Sequence, residues 1–161
     1  MKFPAVPELG SMAPDFRLRG PGGVHYSLSE FRGEKYVLLV FYPLAFSPVC
    51  SHQLPELQQW LPKLEEAGIV VFGISVDSHY ANAAFARATG VTFPLLSDWD
   101  REACRAYGVL IPGAEVAVRS LFLVDREGRL LWREISEDSR SIEDVPSPQR
   151  ALAALGAALR D

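Results

Sequence analysis

One stretch of this chain gathers the residue types that sulfur chemistry needs. Phe41-Tyr42-Pro43-Leu44-Ala45-Phe46-Ser47-Pro48-Val49-Cys50 runs from an apolar segment into one with helical spacing. A cysteine in the first turn of a helix faces unpaired backbone N–H groups and the positive end of the helix dipole, and both favour an anion. An ordinary thiol, with a pKa of about 8.5, is only a few per cent thiolate at pH 7. A helix N-terminus or a neighbouring arginine raises that fraction. The chemistry within reach is therefore nucleophilic attack by Cys50. Ser47, one turn earlier, carries a hydroxyl able to donate to the sulfur or to a bound oxygen. Pro43 and Pro48 lack an N–H and have fixed φ, so they stiffen the loop. The competing reading is an inert buried thiol, because free cysteine often packs as a small hydrophobe.

The elements that must position Cys50 follow from periodicity. Tyr36 to Phe41 is continuous, β-rich and apolar, which predicts a central strand covered on both faces. Val70 to Val76 reads the same way. Between them Cys50 to Ala67 is predicted helical, with Leu54, Leu57, Leu61 and Leu64 on one face and Gly68 as the stop. Strand, helix, strand is a βαβ unit with parallel strands, and reacting groups in such folds gather at the carboxyl ends of those strands. Pro55 deletes an internal helix bond, which predicts a kink isolating the turn that carries Cys50.

Upstream, Phe16 to Arg19 and Val24 to Ser27 flank Gly20-Pro21-Gly22-Gly23 as an N-terminal hairpin, and Ser29 caps a short turn ended by Gly33. Downstream, helices are expected over Ala81–Thr89, Arg101–Tyr107 and Ala151–Leu159, the last preceded by Ser147-Pro148 as N-cap and first helical residue. Ser120–Val124 and Arg129–Arg133 read as strands around a turn, and the glutamate-rich stretch 134–143 as a solvated loop. The fold class is α/β, a central mixed sheet flanked by helices.

At 161 residues the chain is read as one domain, 1–161, large enough to bury a core without disulfides or metal. Apolar residues are 48% and the net charge is −4 with both signs scattered, so neither disorder nor nucleic-acid binding is indicated. No run is long enough to span a membrane. The N-terminus lacks a signal core, so a cytoplasmic location is expected. The two cysteines lie far apart with no C-x-x-C and no Cys/His cluster, so no metal site is predicted.

Pro43-x-x-x-Ser47-x-x-Cys50 resembles the peroxiredoxin signature, and other blocks follow in order along nearly the whole chain. They are Gly10 to Phe16, Tyr26 to Gly33, Val76-Asp77-Ser78, Phe93 to Asp98, Ala106 to Val109 and Arg119 to Asp125. The chain is most like the one-cysteine AhpE-like branch, with Ser47 where Thr is commoner. The resemblance implies a thioredoxin-like fold and a thiol-dependent peroxidase acting on hydrogen peroxide and organic hydroperoxides. It implies that Cys50 becomes a sulfenic acid and that Arg119 stabilises the thiolate and the leaving oxygen. Ser47 and the Cys50 N–H would hold the peroxide, and Pro43 would shield the site. Val49 and Gln53 would orient the substrate or Arg119.

No cofactor is implied. The partners expected are the peroxide, an external thiol reductant (a thioredoxin, a glutaredoxin or a low-molecular-weight thiol) and a second copy in a homodimer. Cys104 reads as a buried small side chain, with a resolving cysteine as the alternative. His52 is expected to face outward, His25 and His79 to be solvated or capping, and Asp98 and Asp100 to serve turns and caps. Trp60 and Trp132 read as core or dimer contacts. A thiol–disulfide oxidoreductase and a redox-dependent chaperone are the rival functions; the first needs a second nearby thiolate that Ser51-His52-Gln53 does not supply.

Overall fold

The computed structural model describes residues 6–137 and 146–160. Seven strands form one mixed sheet in the order β2-β1-β5-β4-β3-β6-β7. They are β1 (Arg17–Arg19), β2 (His25–Ser27), β3 (Tyr36–Phe41), β4 (Ile69–Ser75), β5 (Leu95–Ser97), β6 (Ser120–Val124) and β7 (Leu130–Ile135). The helices are α1 (Pro48–Glu66), α2 (His79–Thr89), α3 (Glu102–Ala106) and α4 (Pro148–Arg160). β3, β4 and β5 are parallel neighbours, while β6 runs antiparallel against β3. The N-terminal hairpin closes one edge and the β6–β7 hairpin the other.

β3 is apolar throughout because both of its faces are covered: Val37 to Phe41 are all buried. One face packs against α1, α2 and α4, with Leu38, Val40, Leu54, Leu57, Leu61, Leu64, Phe85 and Leu155 in a single apolar cluster. The other carries Leu39, Phe41, Phe72 and Phe122 against the short α3 and the N-terminal arm. Gly73 in β4 permits a close approach: a Cβ there would lie 2.5 Å from Leu95 and 3.2 Å from the Tyr42 ring.

Several expectations are corrected. α1 starts at Pro48, not Cys50, because Ser47 takes the extended N-cap conformation (φ −71°, ψ 151°) and Pro48 fits the first helical position. The helix then runs without interruption through Pro55 and Pro62. The Ser51 carbonyl that Pro55 deprives of its donor belongs to an exposed residue, where water can supply the hydrogen bond. The turn Leu28–Phe31 is capped from Ser27, whose N–H donates to the Glu30 carboxylate at 3.1 Å, while the Ser29 N–H goes to Asp15 at 3.0 Å. β7 continues through Ile135, so Glu134 is a strand residue, paired with Arg150 of α4 rather than free in a loop. The rest of that expected loop, over 138–145, lies outside the described residues.

Candidate active site

β3 ends at Phe41 and α1 begins at Pro48, so the loop between them delivers Cys50 as the third residue of the helix. Ser47 accepts the first helical hydrogen bond through its carbonyl, from Ser51 N–H at 2.9 Å. Its side chain makes no cap bond, and Ser47 Oγ is buried with no hydrogen-bond partner. A hydroxyl left in that state is unusual and calls for an explanation. Pro43 and Val49 are half-buried beside it, and Leu44 and Phe46 are exposed. Phe46 adopts φ +66°, in the left-handed region that a non-glycine residue occupies only under constraint.

Arg119 comes from a distant part of the chain. It precedes β6, and the pairing of Ser120 with Phe41 sets it alongside the end of β3. Its Nη1 donates to Cys50 Sγ at 3.1 Å and to Gln53 Oε1 at 2.7 Å. Cys50 and Gln53, three residues apart, share one helix face. Cys50 is 0% exposed, Arg119 2% and Gln53 4%, so the thiol is enclosed but enclosed against a cation. A guanidinium held beside a sulfur in low dielectric favours negative charge on that sulfur and on any oxygen bonded to it.

The residues missed by sequence reasoning lie behind this loop. Asp77, just past β4, accepts from the Ala45 N–H at 2.8 Å and from Ser75 Oγ at 2.9 Å. Tyr42 OH donates to Asn82 Oδ1 at 2.7 Å, Asn82 Nδ2 donates to the Leu96 carbonyl at 3.2 Å, and Ser97 Oγ donates to the Asp77 carbonyl at 2.7 Å. Burial, with Asp77 and Cys50 nearby, pushes the Tyr42 phenol far up, so it remains a donor. The available signal was Val76-Asp77-Ser78 at the carboxyl end of the strand beside the cysteine-bearing one.

The other singled-out residues stand apart from the site. Cys104 belongs to the core on the α3 face, across the sheet from the cluster holding Cys50. It is buried, and burial followed by the nearby Asp98 carboxylate pushes its thiol pKa far up. Asp98 accepts from Ala103 N–H at 3.0 Å and Cys104 N–H at 2.8 Å, the capping use expected for it. His52 is exposed on α1. The His79 ring lies 4.0 Å from that of Tyr80, and His25 is on the hairpin edge. Trp60 and Trp132 pack partly buried against the α1-side core. Among the described residues no three His, Cys, Asp or Glu side chains converge as a metal site, and no helix is long and apolar enough to cross a membrane.

The AhpC/TSA family profile matches residues 9–133. Alkyl hydroperoxide reductase E of Mycobacterium tuberculosis is 40% identical over 151 residues, covering 92% of this chain and 98% of the relative. A chloroplastic 2-Cys peroxiredoxin of Hordeum vulgare is 34% identical over 159 residues, covering 91% and 76%. The crystal structure of Enterococcus faecalis AhpC superposes with a TM-score of 0.84 at 27% identity, covering 94% of this chain and 92% of that one. The thioredoxin-like architecture expected from the sequence is borne out.

Proposed function

This chain belongs to the AhpC/TSA family of peroxiredoxins and is an oxidoreductase of that kind; from that premise we propose that it reduces hydrogen peroxide and organic hydroperoxides through Cys50. The Cys50 thiolate attacks one peroxide oxygen. An S–O bond forms, the O–O bond breaks, and the sulfur gives up two electrons to become a sulfenic acid. The leaving alkoxide or hydroxide takes a proton and departs as alcohol or water. Two external thiols restore the enzyme: the first forms a mixed disulfide with Cys50 and releases water, and the second attacks that disulfide, freeing the Cys50 thiol and leaving the two external sulfurs joined.

The observation that carries this reading is the Arg119 Nη1 contact to Cys50 Sγ at 3.1 Å inside a closed site. Charge begins on sulfur and ends on the leaving oxygen, and a fixed guanidinium serves both positions without reorganising. Gln53 holds that guanidinium through its 2.7 Å contact. The unpartnered Ser47 hydroxyl is a donor waiting for a peroxide oxygen, and the half-buried Pro43 and Val49 belong to the same strand-to-helix segment. Since Cys50 has no exposed surface, entry of a peroxide requires local movement around the site.

A one-cysteine cycle is supported by the separation of Cys50 from Cys104 by the sheet. The exposed Leu44 and Phe46 beside the site support self-association as a homodimer, which sedimentation would read directly. A cytoplasmic setting suits a cycle that depends on reduced external thiols. The deciding experiment is intact mass after one equivalent of peroxide. A gain of one oxygen, lost in Cys50→Ser and kept in Cys104→Ser, is expected. Loss of two hydrogens would mean an internal disulfide and overturn the one-cysteine cycle. No peroxide consumption at all would overturn the function.

A further inference from the structure

We infer that Asp77 is a positioning residue for the Cys50 site: its carboxylate fixes the Ala45 amide and so keeps the Ser47 hydroxyl free for a peroxide. The inference rests on the peroxidase reading and extends it to a side chain that never touches the sulfur.

β3 and β4 run parallel in register from Tyr36↔Ile69 to Phe41↔Ile74, so the loops leaving their carboxyl ends are neighbours. Asp77 belongs to the second loop and Ala45 to the first. The 2.8 Å bond between them is charge-assisted and ties one loop to the other. Ser75 Oγ, 2.9 Å from Asp77 Oδ2 and 3.1 Å from Asn82 Oδ1, has one proton to give. The carboxylate is the nearer and stronger acceptor, so the proton goes to Asp77. Asp77 is thereby held from behind while it holds Ala45 in front.

The next residue shows what this tie does. Phe46 stands at φ +66°, with its ring 5.0 Å from that of Phe85. It leads into Ser47, whose backbone keeps ordinary N-cap angles while its side chain makes no N-cap bond. A serine at an N-cap normally accepts from the backbone N–H two or three residues on, and here the third is Cys50. The structure shows the alternative, with Ser47 Oγ buried and unpartnered at the helix entrance. Once Ala45 is released, the Phe46–Ser47 segment is free to shift and the serine side chain to rotate onto the ordinary cap bond. The hydroxyl and the helix-entrance amides are then spent on each other instead of on a ligand oxygen.

The test compares two reagents on the same thiol. Both reagents need access to the buried Cys50, but peroxide also needs the donors around it, which iodoacetamide does not use. In Asp77→Ala the peroxide rate constant is expected to fall by about tenfold or more. Iodoacetamide alkylation of Cys50 is expected to change far less. Asp77→Asn retains an oxygen that accepts the Ala45 N–H and is expected to recover most of the peroxide rate. If Asp77→Ala does not fold, Asp77→Ser carries the same comparison, because its hydroxyl is too short to reach Ala45. A peroxide rate equal to wild type, or equal losses with both reagents, would overturn the positioning role. A wild-type protein inert to peroxide would overturn this inference together with the function it rests on. An active wild type with an unaffected Asp77→Ala would overturn this inference alone.

Discussion

Replacing Arg119 with methionine tests the site most directly, because it removes the cation while nearly preserving the buried volume. At 3.1 Å and an effective dielectric of about 20, a guanidinium–thiolate pair attracts by roughly 5 kcal/mol before charge delocalisation is counted. Only the part that persists or strengthens as charge moves from sulfur to the leaving oxygen accelerates the reaction. Loss of one such preorganised donor typically costs ~2.7–4 kcal/mol of barrier, or ~10²–10³ in rate. The fold is affected differently. Gln53 Oε1 loses its 2.7 Å partner, at about 1–3 kcal/mol. Against that, a buried cation no longer has to be desolvated, an exchange that is often neutral or stabilising. A Tm within about 5 °C of wild type is therefore expected alongside the large rate loss. Stopped-flow tryptophan fluorescence is a suitable assay, because Trp60 and Trp132 pack against the cluster that contains Cys50. A folded Arg119→Met protein reacting with peroxide within fivefold of wild type would refute the assignment of charge stabilisation to this guanidinium.

Gln53→Leu removes the acceptor that steadies Arg119 and is expected to lower the peroxide rate about tenfold with little change in unfolding midpoint. Cys104→Ala leaves the peroxide rate unchanged and lowers the unfolding free energy by about 1–2 kcal/mol in urea, the result of a small cavity on the α3 face. Burial pushes up both the Cys104 thiol and the Tyr107 phenol from their ordinary values. The unfolded chain therefore sheds these protons first, and stability falls as pH rises above about 9, by up to ~1.4 kcal/mol per unit per group. Urea titrations from pH 7 to 10.5 should show that decline, and it should be shallower in Cys104→Ala. Glu134→Gln breaks the pair with Arg150 of α4, but that arginine is largely exposed, so the change in urea stability is expected to stay below about 1 kcal/mol.

The legibility of the chain divides along physical lines. β3 and α1 were readable because a strand covered on both faces must be continuously apolar and an amphipathic helix must repeat its leucines. The cysteine at the helix start followed from the same two patterns. The pairing of Arg119 with Gln53 spans 66 positions, and no local periodicity encodes it; it came from the family resemblance. Asp77 is legible in the sequence only as part of a motif, since its partner Ala45 is fixed by the register of two parallel strands. Glu134 reads as loop because three glutamates over 134–143 suggest solvent, yet on an edge strand one face can carry a charge toward a helix.

The sheet that divides the two sulfurs has a consequence for how such an enzyme behaves under load. On the proposed one-cysteine cycle, with Cys104 on the far side of the sheet, the chain holds no electron reserve of its own for Cys50. On the proposed chemistry, every oxidised molecule waits for a collision with a donor. Turnover then tracks the supply of that donor, and the oxidised fraction becomes a running record of how far peroxide arrival outpaces it.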